Sequence, residues 1–177
     1  MANANSIYRA KKATALTDPT SATTFKQADS SSKAACVFFP VFAQATAPPV
    51  LAFKFRALGR ATTTGSHNVT PKVSYGVSTT AGSNTIIAAA TARAVATTTA
   101  SWVIWGDLIW DSTSQVLQGS FSAMNGSTNV LDSAAVLTSS VTAVDFSQSG
   151  LGLSVEITIA TGGGDIGYLD DLSLEVL

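Results

Sequence analysis

The sequence predicts an all-β protein, an antiparallel β-sandwich of about eight strands behind an extended N-terminal arm. Three observations point there. From Val50 onward apolar and polar residues alternate at period two over stretches of strand length. Clusters of Gly, Asn, Ser and Pro separate those stretches. The first 33 residues hold few large apolar side chains and many Ala, Ser, Thr and Lys. We therefore divide the chain into an arm, 1–33, and a sandwich domain, 34–177.

A segment of the arm's composition has little to bury, so by itself it stays loose. To become ordered it needs a surface, which predicts a neighbouring copy or a larger assembly. Arg9, Lys11, Lys12, Lys26 and Lys33 are the candidate contacts, suited to an acidic partner. They lack interleaved aromatics and form no dense basic run, which argues against nucleic acid.

Ala34–Ala43 is apolar throughout and reads as a strand or packed segment, with Pro40 placing it at an edge. Cys36 there reads as a small buried hydrophobe. Pro48 and Pro49 force a turn or extended link. In Val50–Leu58, Leu51, Phe53, Phe55 and Ala57 share one face, with Lys54 and Arg56 on the other. Residues 59–71 read as a polar loop holding the only histidine, His67. Lys72–Ser78 is the next strand. Thr85–Ala96 reads as extended, because its β-branched residues outweigh alanine's weak helical preference.

Ser101–Asp111 holds all three tryptophans, Trp102, Trp105 and Trp110, and reads as a central strand pair. Gly106 suggests a bulge or a close backbone approach. The run is far shorter than the roughly 20 apolar residues that cross a membrane. The tryptophans are core, or they form a sugar-stacking platform together with Tyr75; both readings stand at this point. Ser114–Met124 follows as a strand, then two shorter apolar patches, Val130–Leu137 and Val141–Phe146. Leu153–Ile159 alternates most cleanly, and Tyr168–Leu177 closes the chain with Tyr168, Leu172, Leu174 and Val176 expected inward.

Charged residues are 12% of the chain, about half the usual share. Mean hydropathy is +0.30, which predicts apolar surface that meets another subunit. All ten basic residues lie between Arg9 and Arg93, and nine of the eleven acids lie from Asp107 onward. The two halves either interleave and cancel or leave a dipolar molecule that favours head-to-tail contact. One cysteine allows no internal disulfide. Met1–Asn5 is polar and no apolar run follows, which predicts assembly in a cytoplasm.

Catalysis is hard to place. Nucleophilic chemistry needs a base beside a Ser or Cys, and neither His67 nor Cys36 has a fitting neighbourhood in sequence. One His and one Cys are not a zinc site. Adjacent Asp170 and Asp171 are expected on opposite faces of a strand. Asp107 and Asp111 stand about 13 Å apart along one, too far for a glycosidase pair. Asp165 beside the glycines 162–164 is either a solvated turn residue or, with a carbonyl, a calcium ligand. No cofactor and no enzymatic activity are expected.

Several stretches together resemble a known group: F-K-F-R-A-L-G-R from Phe53, T-P-K-V-S-Y-G from Thr70, the Ala/Thr-rich segment, the tryptophan strands, and the closing L-S-L-E-V-L. Across residues 50–177 the chain resembles jelly-roll structural proteins of tailed-bacteriophage virions, including capsid decoration (cement) proteins and tail-appended fibre proteins. Its last strand is also similar to that of carbohydrate-binding jelly rolls. The resemblance implies a jelly-roll-like antiparallel β-sandwich and a non-enzymatic virion protein. Such a protein, expected as a homotrimer, would bind the major capsid protein and stabilise capsomer joints. The alternative is a tail-associated receptor-binding or carbohydrate-binding module. Neither nucleic acid nor membrane is an expected partner.

Overall fold

The computed structural model describes residues 6–42, 50–80, 82–96, 99–126, 130–137, 139–160 and 163–177. Strands β1 (Ile7–Arg9), β2 (Leu16–Thr17), β3 (Thr23–Thr24), β4 (Lys26–Gln27) and β5 (Ser30–Ala34) come first. Next are β6 (Cys36–Phe38), β7 (Val50–Thr62), β8 (His67–Tyr75), β9 (Thr85–Ala89) and β10 (Arg93–Val95). The last five are β11 (Thr99–Asp111), β12 (Val116–Asn125), β13 (Val130–Val136), β14 (Gly152–Ile159) and β15 (Ile166–Val176). The large sheet runs β1-β15-β7-β11-β12-β13, with β2 also on β15. The small sheet runs β10-β8-β14-β3, with β6 on β14 and β9 on β8. Among the described residues every strand pairing is antiparallel, and the two sheets form a jelly-roll-like sandwich.

Alternation produces the core. Phe53, Phe55, Ile104, Leu108, Leu172 and Leu174 of the large sheet meet Val73, Leu153, Val155 and Ile157 of the small one, all buried. Phe39 packs edge-on against Phe53, with ring centroids 5.2 Å apart, and 4.8 Å from Phe146.

The arm corrects an expectation. It is ordered against its own domain and needs no neighbour for that. β1 and β2 extend the large sheet along β15, and β3 extends the small sheet along β14. Phe25 is fully buried in the core, its N–H on the Val155 carbonyl at 3.0 Å. The arm thus covers the edges of β14 and β15, which would otherwise present unpaired backbone groups. Composition missed this because ladder hydrogen bonds come from the backbone, whatever the side chains.

Other boundaries also differ. The polar loop expected at 59–71 shrinks to 63–66, since β7 continues through Thr62 and β8 begins at His67. Pro71 sits in β8 where β10 gives way to β9 as its neighbour, so its missing N–H breaks no ladder bond there. The segment 85–96 is two strands, not one. The tryptophan run is one strand, not a pair. Its register on β7 and β12 is unbroken through Gly106, so that glycine marks a close approach. A Cβ there would stand 2.2 Å from the Ser120 carbonyl.

A register shift does occur in β15, between Leu169 and Asp171. It returns Tyr168 to the outer face, opposite the inward position expected. It also puts Asp170 and Asp171 on the same face, where adjacent strand residues would diverge. Arg60 Nε and Nη2 bond Asp170 at 2.8 and 2.9 Å, with the guanidinium 4.8 Å over the Tyr168 ring. Arg9 bonds Asp171 at 2.8 Å.

Candidate functional site

Charge interleaves. Basic β7 lies between acidic β15 and β11, so Lys54 registers with both Glu175 and Asp107. The dipolar alternative is thereby excluded, and two arm cations have partners at home. Arg9 holds Asp171, and Lys11 holds Asp29 at 3.1 Å, a bond that keeps the Asp29 carboxyl below its ordinary pKa. Lys12 and Lys33 are exposed and Lys26 half-buried. The five do not converge on one surface patch by any contact among the described residues.

The tryptophans separate by parity. Trp102 and Trp110 point into the core and are buried, so neither can stack on a ligand. Trp110 donates to the Val144 carbonyl at 2.9 Å and lies against Phe146. Trp102 lies over Gly59, where a Cβ would fall 2.2 Å from the indole ring. Tyr75 is half-buried, its ring 6.3 Å from that of Phe39. Burial pushes its hydroxyl pKa up. Trp105 alone faces outward, half-buried in a groove of about 490 Å³ across β1, β15, β7 and β11.

The two ends of the sandwich differ in kind. At one end Val50 opens β7, Ile109 lies near the end of β11, and Leu177 follows β15 with its N–H on Ala52. Ile7 pairs with Glu175 beside them. Phe38 ends β6 opposite Gly152, at this end of the small sheet, and Val41 follows β6. All six are 43–58% exposed. Large apolar side chains exposed toward one end are the pattern of an interaction surface, and Ile7 also lines the outer-face groove. Sequence reading missed this, although three of the six flank the Pro48-Pro49 link.

The other end is a polar hub. Asp18, at φ 47°, turns its carboxylate onto the N–H groups of Gly163, Gly164 and Asp165 at 2.9, 2.7 and 2.8 Å. Those three bonds hold Asp18 below the ordinary carboxylate pKa. Asp165 is buried and accepts from the Thr64 N–H at 2.8 Å and the Thr64 hydroxyl at 3.1 Å. His67 Nδ1 lies 2.6 Å from its second oxygen. An ionised carboxylate only accepts, so His67 carries the hydrogen there. Burial pushes the Asp165 carboxyl up, but the Thr64 and His67 bonds outweigh it and its pKa lies below the ordinary value. Asp165 is thus no solvated turn residue: it is buried and both its oxygens accept hydrogen bonds. Among the described residues no group of three or more His, Cys, Asp or Glu could hold a metal ion.

This hub has a pH signature. Asp18 and Asp165 have lowered folded pKa values, so their stabilisation is complete above the ordinary value of about 4 and is lost as pH falls through the folded values. Tm should therefore drop as pH falls below about 4. The pair Asp18→Asn and Asp165→Asn should flatten that limb in a Tm–pH series. An unchanged acid limb would remove the hub as its source.

No protein-family model and no curated protein matches the chain. Among solved structures it is similar to peanut lectin with the nonamer peptide PVIWSSATG, at TM-score 0.39 and 11% identity, over 98% of this chain and 91% of that one. It is also similar to a lectin from Bauhinia forficata in complex with GalNAc, at TM-score 0.33 and 10% identity, over 98% and 99% of the two chains. Likeness at this level carries no argument about descent, ligand or activity.

Proposed function

We propose that the chain is a non-enzymatic structural protein of a virion, a capsid decoration protein that binds the shell surface and stabilises capsomer joints. The supporting observation is the apolar end with Ile7, Phe38, Val41, Val50, Ile109 and Leu177. Burying the exposed half of such a side chain contributes about 1 kcal/mol. One end of one copy is thus a weak attachment. A homotrimer presents three such ends, and linked weak contacts multiply into tight binding. The low charge content suits a protein that lives against neighbours. Attachment through the arm loses its support, since the arm is spent on its own domain.

The test is direct. Mass spectrometry of purified particles should find the chain in fixed, high proportion to the major capsid protein; a few copies per particle would favour a tail or fibre location. Phe38→Asp with Val41→Asp should cut shell occupancy at least tenfold and leave Tm nearly unchanged. Full occupancy by that variant would sink the apolar-end reading. Light scattering on the isolated chain should report a trimer, and a monomer would remove that part.

A further inference from the structure

The groove on the outer face of the large sheet shares only Ile7 with the apolar end. Two adjacent rows of register build it. Trp105, Arg56 and Ser173 form one row across β11, β7 and β15; Asp107, Lys54 and Glu175 form the next. The rows lie about 7 Å apart and span about 10 Å across the strands. Arg9 and Asp171 also line the groove but are matched to each other, and outside it Arg60 is matched to Asp170. In the groove Lys54, Arg56, Asp107 and Glu175 make no ion pair within 4.0 Å among the described residues.

The unmatched groups select the ligand. An anion meets Asp107 and Glu175, and a cation meets Lys54 and Arg56, so either faces like charge. An apolar ligand would take four unpaired charges out of water, which is costly. A neutral polyhydroxylated ring suits both signs. Its hydroxyls donate to carboxylates and accept from the cations as charge-assisted bonds. Its C–H face rests on the Trp105 indole, since Phe55 at the groove floor is buried. We infer that this groove binds a neutral saccharide, with Trp105 as the platform and Lys54, Arg56, Asp107 and Glu175 as the hydroxyl-binding groups. The site does not rest on the attachment reading: Phe38 is in β6 of the small sheet and Val41 follows it, and neither lines the groove.

The experiment uses the full chain on an array of neutral, sialylated and sulfated oligosaccharides, followed by calorimetric titration of the best neutral ligand. Binding confined to neutral glycans is expected. Trp105→Ala should weaken it at least tenfold without changing Tm by more than about 4 °C. Should that variant fold poorly, Lys54→Ala with Asp107→Asn, both exposed, should produce the same loss. Retention of sulfated or sialylated glycans alone, no neutral binding, or undiminished binding by both variants would overturn the inference.

Discussion

Removing residues 1–33 is expected to lower Tm by 15 °C or more, or to prevent folding. The arm supplies Phe25, fully buried, whose ring approaches the Gly167 backbone beside Ile157. Losing a buried Phe costs about 3–5 kcal/mol. In a domain of this size each kcal/mol moves Tm by roughly 2–4 °C. Deletion also strips β1, β2 and β3 from the edges of β15 and β14. Exposed edges invite pairing with other chains, so the truncated protein should aggregate as well. Phe25→Ala is the gentler version, with an expected fall of roughly 6–20 °C. Calorimetry on both variants decides the matter. A truncated chain with the melting behaviour of the intact one would mean the arm's strands add nothing to the domain.

The second large effect lies where Trp102 crosses Gly59. A Cβ at Gly59 would stand 2.1 Å from the Tyr168 carbonyl oxygen and 2.2 Å from Trp102 Cζ2. Neither is the free end of a flexible side chain, so Gly59→Ala must push strands apart, at 1 to about 3 kcal/mol or more. Trp102→Ala should cost about 3–5 kcal/mol through the cavity it leaves. The double variant should cost less than the sum, because removing the indole frees one of the two clashes. Denaturant unfolding of the three variants measures this coupling. Strict additivity would show that the ring and the glycine do not constrain each other. Trp105→Ala, on the outer face, is the control and should change stability by about 1 kcal/mol at most.

The same period-two rule explains what could be seen in advance. Leu51, Phe53, Phe55 and Ala57 are all buried as their alternation requires, with Lys54 and Arg56 exposed. Parity also carried more than was taken from it. Trp102 and Trp110 are eight residues apart and share a face; Trp105 is three and five residues from them and must take the other. The groove's charged groups were legible as outward positions of Val50–Leu58, but not as a site, because their partners come from β11 and β15, far away in sequence.

The apolar end and the polar hub were not legible. The apolar end draws on strand ends far apart in sequence and the hub joins three segments, around Asp18, 64–67 and 163–165, and no local pattern records which ends coincide. Nothing in the sequence around Asp18 and Pro19 singles that carboxylate out, and only the fold brings the backbone N–H groups of 163–165 onto it. By itself the sequence determined the sandwich and the inward face of most strands, since side-chain direction alternates along any strand. Only the tertiary structure decided that the arm completes both sheets, that a bulge puts Tyr168, Asp170 and Asp171 on the outer face, and that opposite charges from the two halves meet. Those outcomes depend on backbone pairing between distant segments, to which local side-chain composition is blind.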